Sequence, residues 1–421
     1  MLTTRPRGTE DIIAPEADVW QAVEELARTL SHRYGYEEIR TPLFEHTELY
    51  ARSVGETSDI VSKEMYTFTD RGGRSLTLRP EGTAGVVRAF LENRLYARPL
   101  PVKLYYLGPM FRFARPQAGR LRQFHQFGVE LLGAGEAAAD AEVISLAMEF
   151  YRHLGLEELT LRLNSVGCPA CRPAYREVLL AYLEPRQHSL CADCLARYAR
   201  NPLRVFDCKE EGCRQVLAEA PLVTAYLCPE CSAHLAAVRD ALRLLAIPYE
   251  DDPYLVRGLD YYTKTAFEVI VPGIGAQSAI GGGGRYDGLV EAFGGPHTPA
   301  VGFATGLERV LLALGVRGKT LAPPAGRKVF VAAADAAGAA AGVELLARLR
   351  RAGFTADRDY LGRSLKAQMK HADRWGATIT VILGEAELGR GTVTVRHMQS
   401  GEQEAVPFAQ VVEALKEHLA R

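Results

Sequence analysis

One short stretch gathers more chemistry than any other. Leu255-Val256-Arg257-Gly258-Leu259-Asp260-Tyr261-Tyr262-Thr263 sets a guanidinium, a carboxylate and two phenols around a single glycine. A guanidinium suits phosphate or carboxylate, and a phenol donates to or accepts from a polar ring. Gly258 lets the backbone turn where other residues are strained. The strand-prone run that follows, Tyr261 to Ile270, points alternate side chains to one face. The stretch reads as a ligand site; an exposed Arg-Asp pair beside two half-buried tyrosines is the plainer alternative, and spacing alone does not separate them.

Other segments carry compatible chemistry. Gly281-Gly282-Gly283-Gly284-Arg285-Tyr286-Asp287-Gly288 suggests backbone lying against a small ligand, or a strand bulge. No GxxxxGK[ST] is present, and no GxGxxG outside that run, so P-loop and Rossmann readings fail. In Arg79-Pro80-Glu81-Gly82-Thr83 the proline is placed to open a helix and the glutamate suits its dipole. Tyr105 to Arg112 reads as an apolar strand ending in arginine, Arg115 to Arg120 as a loop, and Arg122 to Glu130 as a returning strand. That return is too polar for a core strand, because Gln126, Gly128 and Glu130 share one face. Eight lysines and arginines against only Glu92 between Val86 and Phe127 fit a solvated face or, beside the aromatic residues there, a polyanion site, and the second reading is favoured.

All eight cysteines fall between Cys168 and Cys231. Cys168-x2-Cys171 and Cys191-x2-Cys194 fit a four-cysteine zinc spacing, and Cys208-x4-Cys213 with Cys228-x2-Cys231 forms a looser second set. One or two structural zinc ions are expected, with the pairing open.

These groups need a scaffold, and 421 residues supply two or three domains. Fifty basic against fifty-one acidic side chains argue against indiscriminate nucleic-acid binding, so any RNA contact must use local patches. The chain shows no charged-then-apolar leader and no run near bilayer length, which points to a cytoplasmic protein. Apolar residues recur at helical spacing from Pro15 to Tyr34, followed by a strand over Tyr36 to Phe44 that Pro42 pushes to an edge. Met65 to Phe68 and Ser75 to Leu78 form a hairpin, and an Ala-rich helix covers Ala137 to Leu154. Gly315 to Arg327, with Pro323-Pro324, reads as a linker. Beyond it, strands and helices alternate in a basic module of roughly 95 residues.

The strings at Leu255–Thr263 and Gly281–Gly288 resemble the histidine signatures of histidyl-tRNA synthetases. Pro42 lies where motif 1 of class II synthetases builds the dimer. Tyr105 to Glu130 resembles motif 2, and Ala300-Val301-Gly302-Phe303-Ala304-Thr305-Gly306-Leu307-Glu308-Arg309 resembles motif 3. The last module resembles the class II anticodon-binding domain. The resemblance implies an α/β (α+β) chain: an antiparallel-sheet catalytic domain over residues 1–325, a mainly helical, cysteine-rich insertion at 168–248, and an anticodon-binding domain over 326–421. It implies a homodimer that activates L-histidine with ATP and Mg²⁺ and transfers it to tRNA(His). By carry-over, Arg112 and Arg257 flank the α-phosphate, and Arg120 and Arg309 hold the β/γ end. Glu130 and Tyr262 bind the imidazole beside Tyr261 and Tyr286. Glu81, Thr83 and Gln126 hold the ammonium, and Arg115 and Gln117 of the motif 2 loop touch the tRNA acceptor end.

The chain departs from the pattern once. Motif 2 usually reads Phe-Arg-x-Glu, and here Phe111-Arg112-Phe113-Ala114 lacks the carboxylate expected at the adenine amino group; one hydrogen bond of about 0.5–1.5 kcal/mol is a tolerable loss. The rivals are the non-catalytic, histidine-sensing regulatory subunit of ATP phosphoribosyltransferase, which loses motif arginines, and a zinc-dependent RNA-binding protein, which leaves the histidine strings unexplained.

Overall fold

The strand Gln123–Leu132 organises the larger part of the molecule because its two faces do different work. Phe127, Val129 and Leu131 pack into the main hydrophobic core, while Gln126, Gly128 and Glu130 alternate onto the opposite face. In the computed structural model, which describes residues 3–55, 58, 60–274, 278–319 and 328–418, this strand is central to an eight-stranded sheet.

The strands of the first unit, residues 1–321, are β1 Glu37–Glu38, β2 Phe44–His46, β3 Thr67–Thr69, β4 Ser75–Leu78, β5 Val102–Phe111, β6 Gln123–Leu132, β7 Thr160–Ser165, β8 Glu250–Asp251, β9 Thr263–Ile270, β10 Ala279–Arg285 and β11 Ala300–Gly306. The large sheet runs β1-β5-β6-β11-β10-β9-β7-β8, antiparallel throughout its centre and parallel only at the two short edge pairs. A small sheet, β2-β4-β3, stands apart.

Helices cover one face. Glu16–Arg33 buries Trp20, Val23, Ala27 and Leu30, the apolar stripe read from the sequence. Ala137–His153 is buried over most of its circumference, as a helix between a sheet and other helices must be. The other face is left for side chains from β5, β6, β9 and β10 and for the helix Thr83–Glu92. A helical insertion with its own core, anchored by Tyr175, Leu179, Val205 and Leu217, lies between β7 and β8.

Three expectations change. The strand expected over Tyr36–Phe44 breaks into β1 and β2, because Pro42 has no amide for a ladder and Arg79 Nη1 takes both the carbonyl and the hydroxyl of Thr41, at 3.1 and 3.0 Å. The helix expected to open at Pro80 begins at Thr83. The chain is still helical to Val316 inside the expected linker, whose Pro323-Pro324 lies outside the described residues.

The second unit, residues 322–421, has a five-stranded sheet in which Lys328–Ala333 pairs parallel with Thr355–Arg358 and Ile379–Leu383, and Thr392–His397 and Gln403–Pro407 add antiparallel. Its core includes Val329, Val331, Leu345, Ile379, Val381 and Leu415.

Arg285 ends β10 fully buried and serves this scaffold. Its Nε lies 3.2 and 3.1 Å from the Asp140 carboxylate on the helix Ala137–His153, and Nη1 donates to Ala134 O at 2.9 Å. Removing one partner strands a buried charge. Arg285→Met is therefore expected to lose about 3–5 kcal/mol of stability in urea unfolding; a loss below about 1 kcal/mol would contradict this role.

Candidate active site

The deep end of the site is a pair of buried carboxyl groups. Glu130 on β6 is 1% exposed. It accepts from Thr83 Oγ1 at 2.6 Å and from the hydroxyl of Tyr286, and no lysine or arginine pairs with it among the described residues. Burial is the main cause that pushes its pKa up to about 8, with neighbouring Glu81 adding to the rise and the two hydrogen bonds opposing it. Glu81 accepts from the amides of Thr83 and Ala84 at 2.6 and 2.9 Å, so it caps the helix Thr83–Glu92 from just outside. Its pKa is also raised, chiefly by burial. Tyr261 packs against Tyr262 and Tyr286, ring centroids 4.7 and 5.5 Å apart, and burial holds all three phenols protonated. The buried Gln126 Oε1 has no hydrogen-bond partner among the described residues.

Outward from this pocket opens a cleft of about 910 Å³, lined by Arg112, Arg120, Arg257 and Arg309. Arg257 meets Glu268 of β9 at 2.5 Å. Gly282 makes room for it: a Cβ there would stand 2.7 Å from Arg257 Nη1. The same device serves Glu130, since a Cβ at Gly302 would collide with Oε2 at 2.0 Å. The glycine run is thus a strand of the sheet in which Gly282 leaves room for the Arg257 guanidinium, while Gly281 leaves room for the Tyr151 hydroxyl and Gly283 and Gly284 lie close to neighbouring backbone. Arg112 Nε donates to Pro80 O at 2.8 Å, and its guanidinium lies 5.3 Å from the Phe124 ring centroid. Arg120 pairs with Glu64 at 2.7 Å. Burial lowers the pKa of Arg112 and Arg309, although nearby carboxylates oppose it. Arg112, Arg120, Arg257 and Arg309 line this cleft, Arg257 paired with Glu268 and Arg120 with Glu64; Arg162, Arg214 and Lys209 add basic charge and Asp207, Asp252 and Glu308 acidic charge to the same lining, and guanidiniums so gathered suit a polyphosphate.

The structure therefore brings Glu81, Thr83, Glu130, Tyr261, Tyr262 and Tyr286 together, and lines the cleft with Gln126 and the four arginines. Arg115 and Gln117 are exposed on a hairpin loop closed by the Gln117–Arg120 backbone pair, outside the buried pocket. Ala114 lines the cleft, and its carbonyl accepts from Arg122 Nε at 3.3 Å. Sequence reasoning missed Glu64 and Glu268. Each is a lone acid in an unremarkable context, and only the charge excess around them could have hinted at a counter-charge.

The cysteines require a correction. The first set expected, Cys168, Cys171, Cys191 and Cys194, does not converge. Cys168 and Cys171 join Cys228 and Cys231, while Cys191 and Cys194 join Cys208 and Cys213. The helix Arg172–Leu183, about 18 Å long at 1.5 Å per residue, carries the second pair away from the first. Within the two sets the resolved Sγ–Sγ separations are 3.6 to 3.8 Å. Four thiolates about 2.3 Å from a central zinc would stand about 3.8 Å apart, so the geometry fits a tetrahedral ion. Burial would raise the Cys168 thiol, but backbone amides of Cys171 and Ala170 bring it down to about 7.

An antiparallel sheet with a helix-capped carboxylate pocket at one end and convergent arginines at the other defines the catalytic domain of a class II aminoacyl-tRNA synthetase. The comparisons agree. A family model described as histidyl-tRNA synthetase matches residues 8–310, and one described as an anticodon binding domain matches 328–418. The histidine–tRNA ligase of Moorella thermoacetica is 63% identical over 413 residues, 98% of each chain. That of Pelotomaculum thermopropionicum is 58% identical over 419 residues, 100% of this chain and 99% of the other. The crystal structure of apo S. aureus histidyl-tRNA synthetase, 42% identical, matches with a TM-score of 0.85 over 99% of this chain and 100% of that one. The chain belongs to the histidyl-tRNA synthetase family.

Glu130 makes stability depend on pH. The unfolded chain releases this proton near 4.5, whereas the folded chain holds it to about 8. The stability contributed by this group is complete below the lower value and is lost as pH climbs through the window. Glu130→Gln is thus expected to gain stability relative to wild type steadily between pH 5 and 8 in parallel denaturation curves; a pH-independent difference would contradict the assignment.

Proposed function

We propose that this cleft performs both half-reactions of a histidine–tRNA ligase. A carboxylate oxygen of L-histidine bonds to the α-phosphorus of ATP as the bond to the pyrophosphate oxygen breaks. The terminal ribose hydroxyl of tRNA(His) then attacks the acyl carbon, and AMP leaves. No protein nucleophile is needed, because phosphoryl transfer depends on positioning and charge neutralisation.

The observation that carries the reading is the polarity of the site. A buried acid, with no lysine or arginine paired to it among the described residues, sits at one end, and guanidiniums gather at the other. Histidine matches it, with its ammonium and imidazole toward the acids and its carboxylate toward the arginines. In this reading Glu130 and Tyr262 bind the imidazole, with Tyr261 and Tyr286 packed beside it. Glu81, Thr83 and Gln126 hold the ammonium, and the unpartnered Gln126 Oε1 supports that role. Arg112 and Arg257 flank the α-phosphate, and Arg120 and Arg309 take the β/γ end of the Mg²⁺–ATP substrate. Arg115 and Gln117, exposed at the loop tip, meet the tRNA acceptor end.

Residues 1–325 serve as the catalytic domain with the insertion at 168–248, and 326–421 bind the anticodon. Each cysteine set holds one structural zinc, a role supported by the sulfur separations. A homodimer is supported by the exposed Leu43, Phe44 and Phe68 beside Pro42. A reducing, cytoplasmic location is supported by eight cysteines that form no disulfide among the described residues; among the described residues no helix is long and apolar enough to cross a membrane. Ala114 alone favours the regulatory-subunit reading, against four arginines and a C-terminal unit that matches an anticodon binding domain.

Glu130→Ala is expected to raise the KM for histidine in tRNA charging by at least about a hundredfold, since it removes the buried partner of the ring; an unchanged KM would refute the assignment. Protein purified without chelator should carry about two zinc ions per chain by elemental analysis and run as a dimer in light scattering. Less than roughly 0.3 zinc per chain, or a monomer mass at micromolar concentration, would overturn those two readings.

A further inference from the structure

Between Val256 and Tyr262 the chain forms no helix or strand, yet this loop carries Arg257, Tyr261 and Tyr262 into the site. No sheet ladder fixes it, so side-chain donors must. Two arginines outside the proposed machinery supply them, and each rides on a different cysteine set.

Arg172 follows Cys171 directly. Its Nη2 donates to the carbonyl of Tyr262, and its Nε donates to Val166 O at 3.2 Å. Arg204 lies on the turn Pro202–Asp207, between Cys194 and Cys208. It is only 3% exposed, and its Nη1 donates to the carbonyl of Arg257 at 2.9 Å. From the same turn region, Asn201 Nδ2 donates to Asp260 Oδ1 at 2.9 Å. The loop is therefore held at Arg257 from beside one cysteine set and at Tyr262 from beside the other. A guanidinium suits this task because its planar fork donates in fixed directions, and Arg204 is held in place by its burial.

We propose that Arg172 and Arg204 are positioning residues for histidine activation, each acting on one end of the loop. Arg204 orients the Arg257 backbone, and through it the guanidinium that crosses Gly282 to reach Glu268. Arg172 orients Tyr262 against the ring pocket. The proposal rests on the adenylation reading above. It predicts separable effects, because Arg257 serves the reacting phosphate and Tyr262 serves the bound amino acid. Misplacement of a reacting group by about 1 Å costs about a hundredfold in rate, which sets the scale for losing an anchor.

The test compares full-length Arg204→Met, Arg172→Met and the two lysine variants in histidine-dependent ATP–pyrophosphate exchange, with zinc content and circular dichroism measured on the same samples. Arg204→Met is expected to lower kcat by about thirtyfold with the KM for histidine within about threefold of wild type. Arg172→Met is expected to raise that KM by about tenfold with kcat within about threefold. Lysine retains a charged donor but not the fork, so each lysine variant should recover part of its loss, and it also provides the comparison if a methionine variant does not fold. Equal falls of kcat in both variants with KM unchanged, the outcome of a merely structural role that lowers the active fraction, would overturn the proposal. So would unaltered constants, or lysine variants no better than methionine. A wild type without exchange would overturn the adenylation reading and this one with it. A wild type that exchanges without zinc, while the split persists, removes only the metal reading and supports the positioning roles.

Discussion

A carboxyl group at the centre of an antiparallel sheet, without a basic partner among the described residues, is the constraint around which this molecule is arranged. Glu130 is tolerated there because Thr83 and Tyr286 donate to it and because burial keeps much of it protonated at neutral pH. Thr83 opens a helix whose first amides are taken by Glu81. Tyr286 follows Arg285, whose buried pair with Asp140 fixes the end of β10 to the helix behind the sheet. The acid, the helix N-terminus and the scaffold ion pair are therefore one connected arrangement.

The opposite end is built from the same sheet by another device. Charged side chains lie flat across strands because the residues beneath them are glycines, as Gly282 is under Arg257 and Gly302 beside Glu130. Glu268 and Glu64 pair with Arg257 and Arg120, which offsets the repulsion between neighbouring guanidiniums. The cysteine-bearing insertion contacts both parts of the site, through Arg204 at Arg257 and through Arg172 at Tyr262.

Much of this was legible in the chain. The alternation of Gln126, Gly128 and Glu130 against Phe127, Val129 and Leu131 announced a strand with one chemical face, because the side-chain period of a strand is two. The strings around Arg257 and Tyr286 carried the resemblance that placed them in a histidine site. What was not legible depends on tertiary approach. The spacing of Cys168, Cys171, Cys191 and Cys194 fits zinc on paper, yet a helix between the pairs decides which sulfurs meet. Glu268 is one acid on a strand, Glu64 one acid on a short helical turn, and neither sequence context marks a counter-charge. Glu81 was read as belonging to a first helical turn, whereas its carboxylate caps that turn from outside.

The central claim is that the convergent arginines act on ATP together with a histidine held by the buried acids. Histidine-dependent ATP–pyrophosphate exchange measures that step without tRNA, and Arg257→Ala removes one guanidinium from the cleft while leaving Glu81 and Glu130 in place. Exchange that requires histidine and falls by at least about a hundredfold in the variant is the predicted result. A wild-type protein that binds histidine but gives no exchange would contradict the account.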